Sequence, residues 1–131
     1  LNEHLFYKQL RPIFQSLGLP IRLENTAATS VPDLVFLSDG VTMWIELKIL
    51  RGQHVSMPKF QYAMGVQMSK QIEHDLFWIL VSHGLLTYGI KYIDIIGKVD
   101  AKGDVVRFAL GDVPHVEIPS IKGWLKAILE A

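Results

Sequence analysis

The stretch from Val31 to Ile49 constrains this chain more than any other. Two apolar runs, Leu34–Leu37 and Val41–Leu47, flank Ser38-Asp39-Gly40. Asp-Gly between apolar runs is a strong hairpin signal, because a type I′ turn needs positive φ at both central residues. With Asp39 and Gly40 as that turn, Ser38 faces Val41, and counting back in register brings Asp33 opposite Glu46. Side chains alternate along a strand, so Lys48, two residues beyond Glu46, shares its face.

Two carboxylates and an ammonium are therefore expected on one face of one hairpin. Directly opposed side chains lie about 5 Å apart at Cβ, where like charges repel. The repulsion has three remedies: one acid keeps a proton, a cation sits between the two, or Lys48 neutralises one of them. A hard divalent cation such as Mg²⁺ suits paired carboxylates and keeps several of its waters. A surface hairpin with a solvated Glu-Lys pair is the plainer reading. Against it, these acids interrupt strands rich in Val, Ile, Leu, Phe, Met and Trp.

Pro32-Asp33, followed by Glu46-Leu47-Lys48 at the end of the second strand, resembles the signature of the PD-(D/E)XK nuclease superfamily. The run from Lys48 through Arg51-Gly52-Gln53-His54 into a helix carrying Gln61 is similar to its small VRR-NUC and archaeal-type Holliday junction resolvase branches. This resemblance covers roughly residues 1–82. It implies a restriction-endonuclease-like mixed β-sheet flanked by helices. It also implies that Asp33, Glu46 and the Leu47 carbonyl bind Mg²⁺ or Mn²⁺, which polarises the scissile phosphate and lowers the pKa of a bound water. Lys48 would orient that water and stabilise transition-state charge, and Gln61 would hold the water or Lys48. The family often takes an accessory acid from its first helix, which points to Glu3; Glu24 is the rival. Arg51, Lys59 and Lys70, chosen for proximity to the motif, are candidate phosphate contacts.

At 131 residues, half of them apolar, the chain is expected to form a single domain over residues 1–131, with a real core. No apolar run approaches a membrane span. The opening Leu1-Asn2-Glu3-His4 carries no basic region followed by an apolar one, so no signal peptide is expected there; the first residue is not Met, which is compatible with a native start upstream. Absence of Cys removes disulfides, thiolate zinc sites and Cys nucleophiles, and fits a reducing, cytoplasmic compartment. Acids and bases balance at 13 each, which argues against broad nonspecific nucleic-acid binding but leaves room for a local basic rim. The five His show no zinc-helix spacing.

The remaining elements follow from periodicity and capping. Asn2 caps a helix expected to run to Leu17, with Phe6, Leu10, Ile13, Phe14 and Leu17 as its stripe and a kink or break at Pro12. Ile21–Glu24 reads as a short strand and 25–30 as a polar loop. Ser56 is expected to cap a helix over 57–73 with Pro58 in its first turn, burying Phe60, Met64, Met68 and Ile72. Leu76–Ser82 reads as a buried central strand, with a further strand at Leu85–Ile90. Residues 93–96 fit strand or helix; 100–104 form a turn before a strand at Val105–Leu110. Pro119-Ser120 opens a terminal helix whose Ile121, Trp124, Leu125, Ile128 and Leu129 face inward.

The resemblance implies a metal-dependent nuclease cutting phosphodiester bonds in DNA, one that either resolves branched DNA or nicks and degrades DNA with little structure preference. The alternative is a catalytically silent nucleic-acid-binding module on the same fold; an acid pair is poorly suited to binding a phosphate backbone alone. The resolvase resemblance implies paired active sites in a homodimer. Tyr88, Tyr92, Ile93, Ile95 and Ile96 would either supply that interface or complete the monomer core.

Overall fold

The structure is a computed structural model and describes residues 1–23 and 31–131. Glu24 and the polar loop at 25–30 lie outside the described residues. The hairpin forms in the expected register. Asp39 and Gly40 take φ 45° and 82°, Ser38 pairs with Val41, and the ladder runs to Leu34 opposite Ile45. Its strands are β2 (Leu34–Ser38) and β3 (Val41–Ile49), preceded by α1 (Glu3–Gln15) and β1 (Leu19–Arg22). Asn2 caps α1 by accepting the Leu5 N–H at 2.9 Å. Pro12 is accommodated within one helix rather than splitting it. The first strand starts at Leu19, earlier than its apolar pattern indicated, because it pairs with β2 from Leu37 backwards.

Beyond β3 come β4 (His54–Pro58), α2 (Lys59–Ser69), β5 (Phe77–His83), β6 (Leu86–Lys91), β7 (Asp100–Lys102), β8 (Val105–Ala109), β9 (Val116–Glu117) and α3 (Ile121–Leu129). The main sheet has the order β1-β2-β3-β5-β6-β9. It is mixed: β3 and β5 are parallel, every other neighbouring pair antiparallel. β5 is buried along its length up to His83, as its uncharged apolar run requires.

One face of this sheet packs on α1 and α3. Phe6, Leu10 and Phe14 of α1 and Leu125 of α3 meet Phe36, Ile45 and Leu80 there, and Ser120 caps α3 through the Gly123 N–H. Against the other face lies a second sheet, β4-β8-β7, which the sequence did not announce. Its Val55, Met57, Val106 and Phe108 close over Ile79, Val81, Ile90 and Tyr92. The Ser56-x-Pro58 helix start is accordingly corrected: residues 54–58 are a strand, and the helix begins at Lys59 with Pro58 at its cap. Pairing of Met57 with Val106 and of Ser56 with Arg107 overrides the local capping signal.

The buried face of α2 is also corrected. Phe60 and Met64 are 55% and 44% exposed, while Gly65 and Ser69 face inward. Tyr92 stacks on Phe77 with ring centroids 4.4 Å apart and presses its ring edge against Gly65, where no side chain fits. That contact fixes the helix's rotation. Tyr92 and Ile95 are buried in the same core, and Tyr88, Ile93 and Ile96 are partly buried, so this segment completes the core instead of offering an apolar interface. Among the described residues no helix is long and apolar enough to cross a membrane.

Candidate active site

Alternation along β3 sends Met43, Ile45 and Leu47 toward α1 and α3, and Trp44, Glu46 and Lys48 toward the side covered by α2 and the small sheet. Asp33, one residue before the β2 ladder, lies on that second side too. Continuing the register places it across from Glu46 at a position without ladder hydrogen bonds, where facing side chains come closest. Its backbone carbonyl accepts the Leu23 N–H at 2.8 Å, and its Oδ2 accepts the Leu47 N–H at 2.8 Å.

The next position in register would set Leu47 against Pro32. Proline has no N–H. A strand residue's N–H and C=O point to the same neighbour, so the Leu47 carbonyl faces a residue that cannot donate to it. The Asp33 side chain takes the Leu47 N–H in place of a strand partner. The Pro-Asp pair thus ends the ladder where two carboxylates and one main-chain oxygen converge.

Glu46 is 3% exposed, and its Oε1 is buried without a hydrogen-bond partner among the described residues. Burial holds its carboxyl well above the usual carboxylate range. A hydrogen bond to Asp33 and the Asp33 charge push the same way, and Lys48 opposes them. Lys48, 8% exposed, donates from Nζ to Gln61 Oε1 at 3.0 Å and lies 3.7 Å from Glu3 Oε1. Glu3 is raised too, mainly by partial burial, with Lys48 pulling the other way. Its place in the first turn of α1 brings it to the site from the opposite side of the sheet.

Asp33, Glu46, Lys48, Gln61 and Glu3 are therefore gathered into one cluster. A cleft of about 300 Å³ opens beside it, lined by Asn2, Glu3, Lys48, Ile49, Arg51 and Ser56. Arg51 is thus at the cleft. Lys59 is exposed at the start of α2, with its N–H on the Asp104 carbonyl at the turn between β7 and β8. Lys70 lies past the far end of α2, roughly 13 Å along the axis from Gln61, beside a separate open pocket with Glu73, His74 and Asp75. Sequence reasoning assigned Asn2 and Ser56 only capping roles; both border the cleft. The strand alternation of His54–Pro58 would have turned Ser56 outward, had that segment been read as a strand.

Two carboxylates and a main-chain carbonyl form a sparse donor set; among the described residues no group of three or more His, Cys, Asp or Glu side chains is disposed to hold a metal. Mg²⁺ is commonly bound this way, through one or two carboxylates plus waters and substrate phosphate. The unpartnered Glu46 oxygen facing a second acid fits such an ion.

No family model matches the sequence, and no curated protein matches it. Among solved structures the fold is similar to that of Hjc, a Holliday junction resolvase from the archaeal hyperthermophile Archaeoglobus fulgidus. The TM-score is 0.59 over 92% of this chain and 93% of that one, with 13% identity. At that identity the likeness establishes the fold, a mixed α/β sheet flanked by helices of the kind that nuclease has.

Proposed function

We propose that this chain is a divalent-metal-dependent nuclease of the PD-(D/E)XK kind, a single domain over residues 1–131 hydrolysing phosphodiester bonds in DNA, with branched DNA as the preferred substrate class. The observation that carries the reading is the acid pair, with Glu46 buried against a half-buried Asp33. Glu46 is desolvated, faces Asp33 and keeps one oxygen unpartnered. A fold gains no stability from such a pair, because a buried carboxyl oxygen without a partner, facing a second acid, costs free energy.

Asp33, Glu46 and the Leu47 carbonyl would hold Mg²⁺ or Mn²⁺. When bound, the ion supplies positive charge that polarises the phosphate and acidifies water. Asp33 is oriented for this by the Leu47 N–H, which fixes its Oδ2. Lys48 keeps its ammonium at the cleft through Gln61 and Glu3. From there it orients the attacking water and offsets charge building on the phosphate oxygens. Gln61 fixes the Lys48 rotamer, and Glu3 adds a counter-charge and a proton acceptor. Arg51 is placed to take a flanking phosphate, with Lys59 further out; Lys70 is the most distant of the three. The resemblance to resolvases supports action as a homodimer with two active sites.

The test is incubation with linear, nicked, flap and four-way DNA in Mg²⁺, Mn²⁺ or EDTA. Metal-dependent cleavage by the wild type, abolished in Lys48→Ala with DNA binding retained, is the expected result. Equal rates for the two proteins reject the Lys48 assignment. Failure to cut any DNA or RNA with either metal rejects the nuclease and leaves the silent binding module. Sedimentation with and without a four-way junction tests the dimer; a strict monomer in both refutes it.

A further inference from the structure

We propose that the outer face of the small sheet, centred on Arg107, is a nucleic-acid backbone site continuous with the catalytic cleft. This rests on the nuclease reading. The inner face of that sheet is apolar and buried: Val55 and Met57 on β4, Val106 and Phe108 on β8. Strand alternation therefore turns Ser56 and Arg107 outward, and both are exposed.

The two are direct cross-strand partners, so their Cβ atoms lie about 5 Å apart. Ser56 lines the same cleft as Lys48 and Arg51. Arg107 is thus one strand spacing from the wall of the catalytic cleft, on a surface that continues it. On its other side Arg107 is registered with Asp100 of β7, yet the two form no ion pair. Lys102, exposed two residues beyond Asp100, adds a second positive charge on β7. Arg51 and Arg107 make no ion pair among the described residues, so both guanidinium groups are available to phosphate.

The placement has chemical sense. A chain with 13 acids and 13 bases has no net field to hold a polyanion, and its catalytic acids repel phosphate. Holding the backbone therefore falls to unpaired cations beside the cleft. A planar guanidinium can grip a phosphate with two parallel hydrogen bonds, and a neighbouring Ser hydroxyl can donate a third. The substrate consequence is that the nucleic acid leaves the cleft over β4 and β8, not over the exposed Phe60 and Met64 of α2.

Binding of fluorescent duplex and four-way DNA in EDTA, measured by anisotropy across a salt series, tests this. Arg107→Gln should lower the slope of log Kd against log salt by about 0.9, the release expected for one phosphate contact. It should leave the melting temperature unchanged, and Arg107→Lys should restore the slope. A wild type that binds and cuts DNA while Arg107→Gln keeps the wild-type slope overturns this inference and leaves the nuclease reading standing. Weakened binding with an unchanged slope, or a lowered slope that Arg107→Lys does not restore, marks a structural effect and overturns it too. A wild type that neither binds DNA in EDTA nor cuts it with either metal overturns both.

Discussion

Gly65→Ala tests whether Tyr92 sets the position of α2. In an exposed helix interior the change would stabilise by about 1 kcal/mol, since Gly is the poorer helix former. Here an added Cβ would overlap the Cζ and Oη atoms of Tyr92. The ring cannot retreat easily. It is 1% exposed, stacked on Phe77 at an interplanar angle of 7°, and its hydroxyl contacts Met57 Sδ at 3.6 Å and the Tyr62 carbonyl at 3.4 Å. Restoring ordinary carbon contact requires ring and helix to part by on the order of 1 Å. Overpacking of this kind costs about 1–3 kcal/mol, and loosening the Tyr92 hydrogen bonds adds about 1 kcal/mol. The steric term therefore wins, leaving a net loss of about 1–3 kcal/mol. For a chain of this length that lowers the melting temperature by roughly 3–10 °C. Gly123→Ala in α3 is the control. A Cβ there meets only Ser120, at 3.3 and 3.6 Å, so that variant should be neutral or slightly more stable. Thermal denaturation followed by circular dichroism reads both. A Gly65→Ala protein as stable as the wild type, or shifted in the same direction as Gly123→Ala, refutes the packing argument. Gln61 precedes Gly65 by about one turn, so a displaced α2 should also lengthen the 3.0 Å bond to Lys48 and slow cleavage.

Three further outcomes are expected. Glu46 has a folded-state pKa raised by burial and by Asp33, so in EDTA its contribution to stability is complete below its unfolded pKa and is lost as pH rises through the folded value; Glu46→Gln should flatten that decline and melt higher at neutral pH, and a parallel pair of melting-versus-pH curves would contradict it. Mg²⁺ or Mn²⁺ should raise the wild-type melting temperature, because binding favours the native state, and Asp33→Asn should remove most of that rise; an equal metal response in both proteins would place the ion elsewhere. Asn2→Ala deletes the cap on Leu5 N–H and should cost about 1 kcal/mol by denaturant titration; with Glu3 next in sequence, cleavage should fall as well, and unchanged stability would show that the cap is dispensable.

Local chemistry decided what the sequence alone determined. The positive φ that Asp39 and Gly40 tolerate set the hairpin register, and the register brought Asp33 to Glu46 and Lys48 to their face, as the structure has it. The α1 cap at Asn2, the buried β5 and the inward face of α3 were legible for the same reason: each depends on neighbours a few residues apart. Tertiary structure alone decided the rest. Residues 54–58 carry a helix-start signal, but their partner strand lies some fifty positions away, and backbone pairing with Val105–Ala109 outweighs a single cap. The Phe60-Met64-Met68 stripe has ideal helical spacing, yet the ring of Tyr92, from a distant segment, admits only Gly65 and turns Phe60 and Met64 outward. The same long-range contacts complete the site. Gln61 reaches Lys48 because Tyr92 sets the rotation of α2, and Glu3 reaches it because α1 packs across the sheet. Spacing within the chain encodes a turn and a face; it does not encode which distant surface that face will meet.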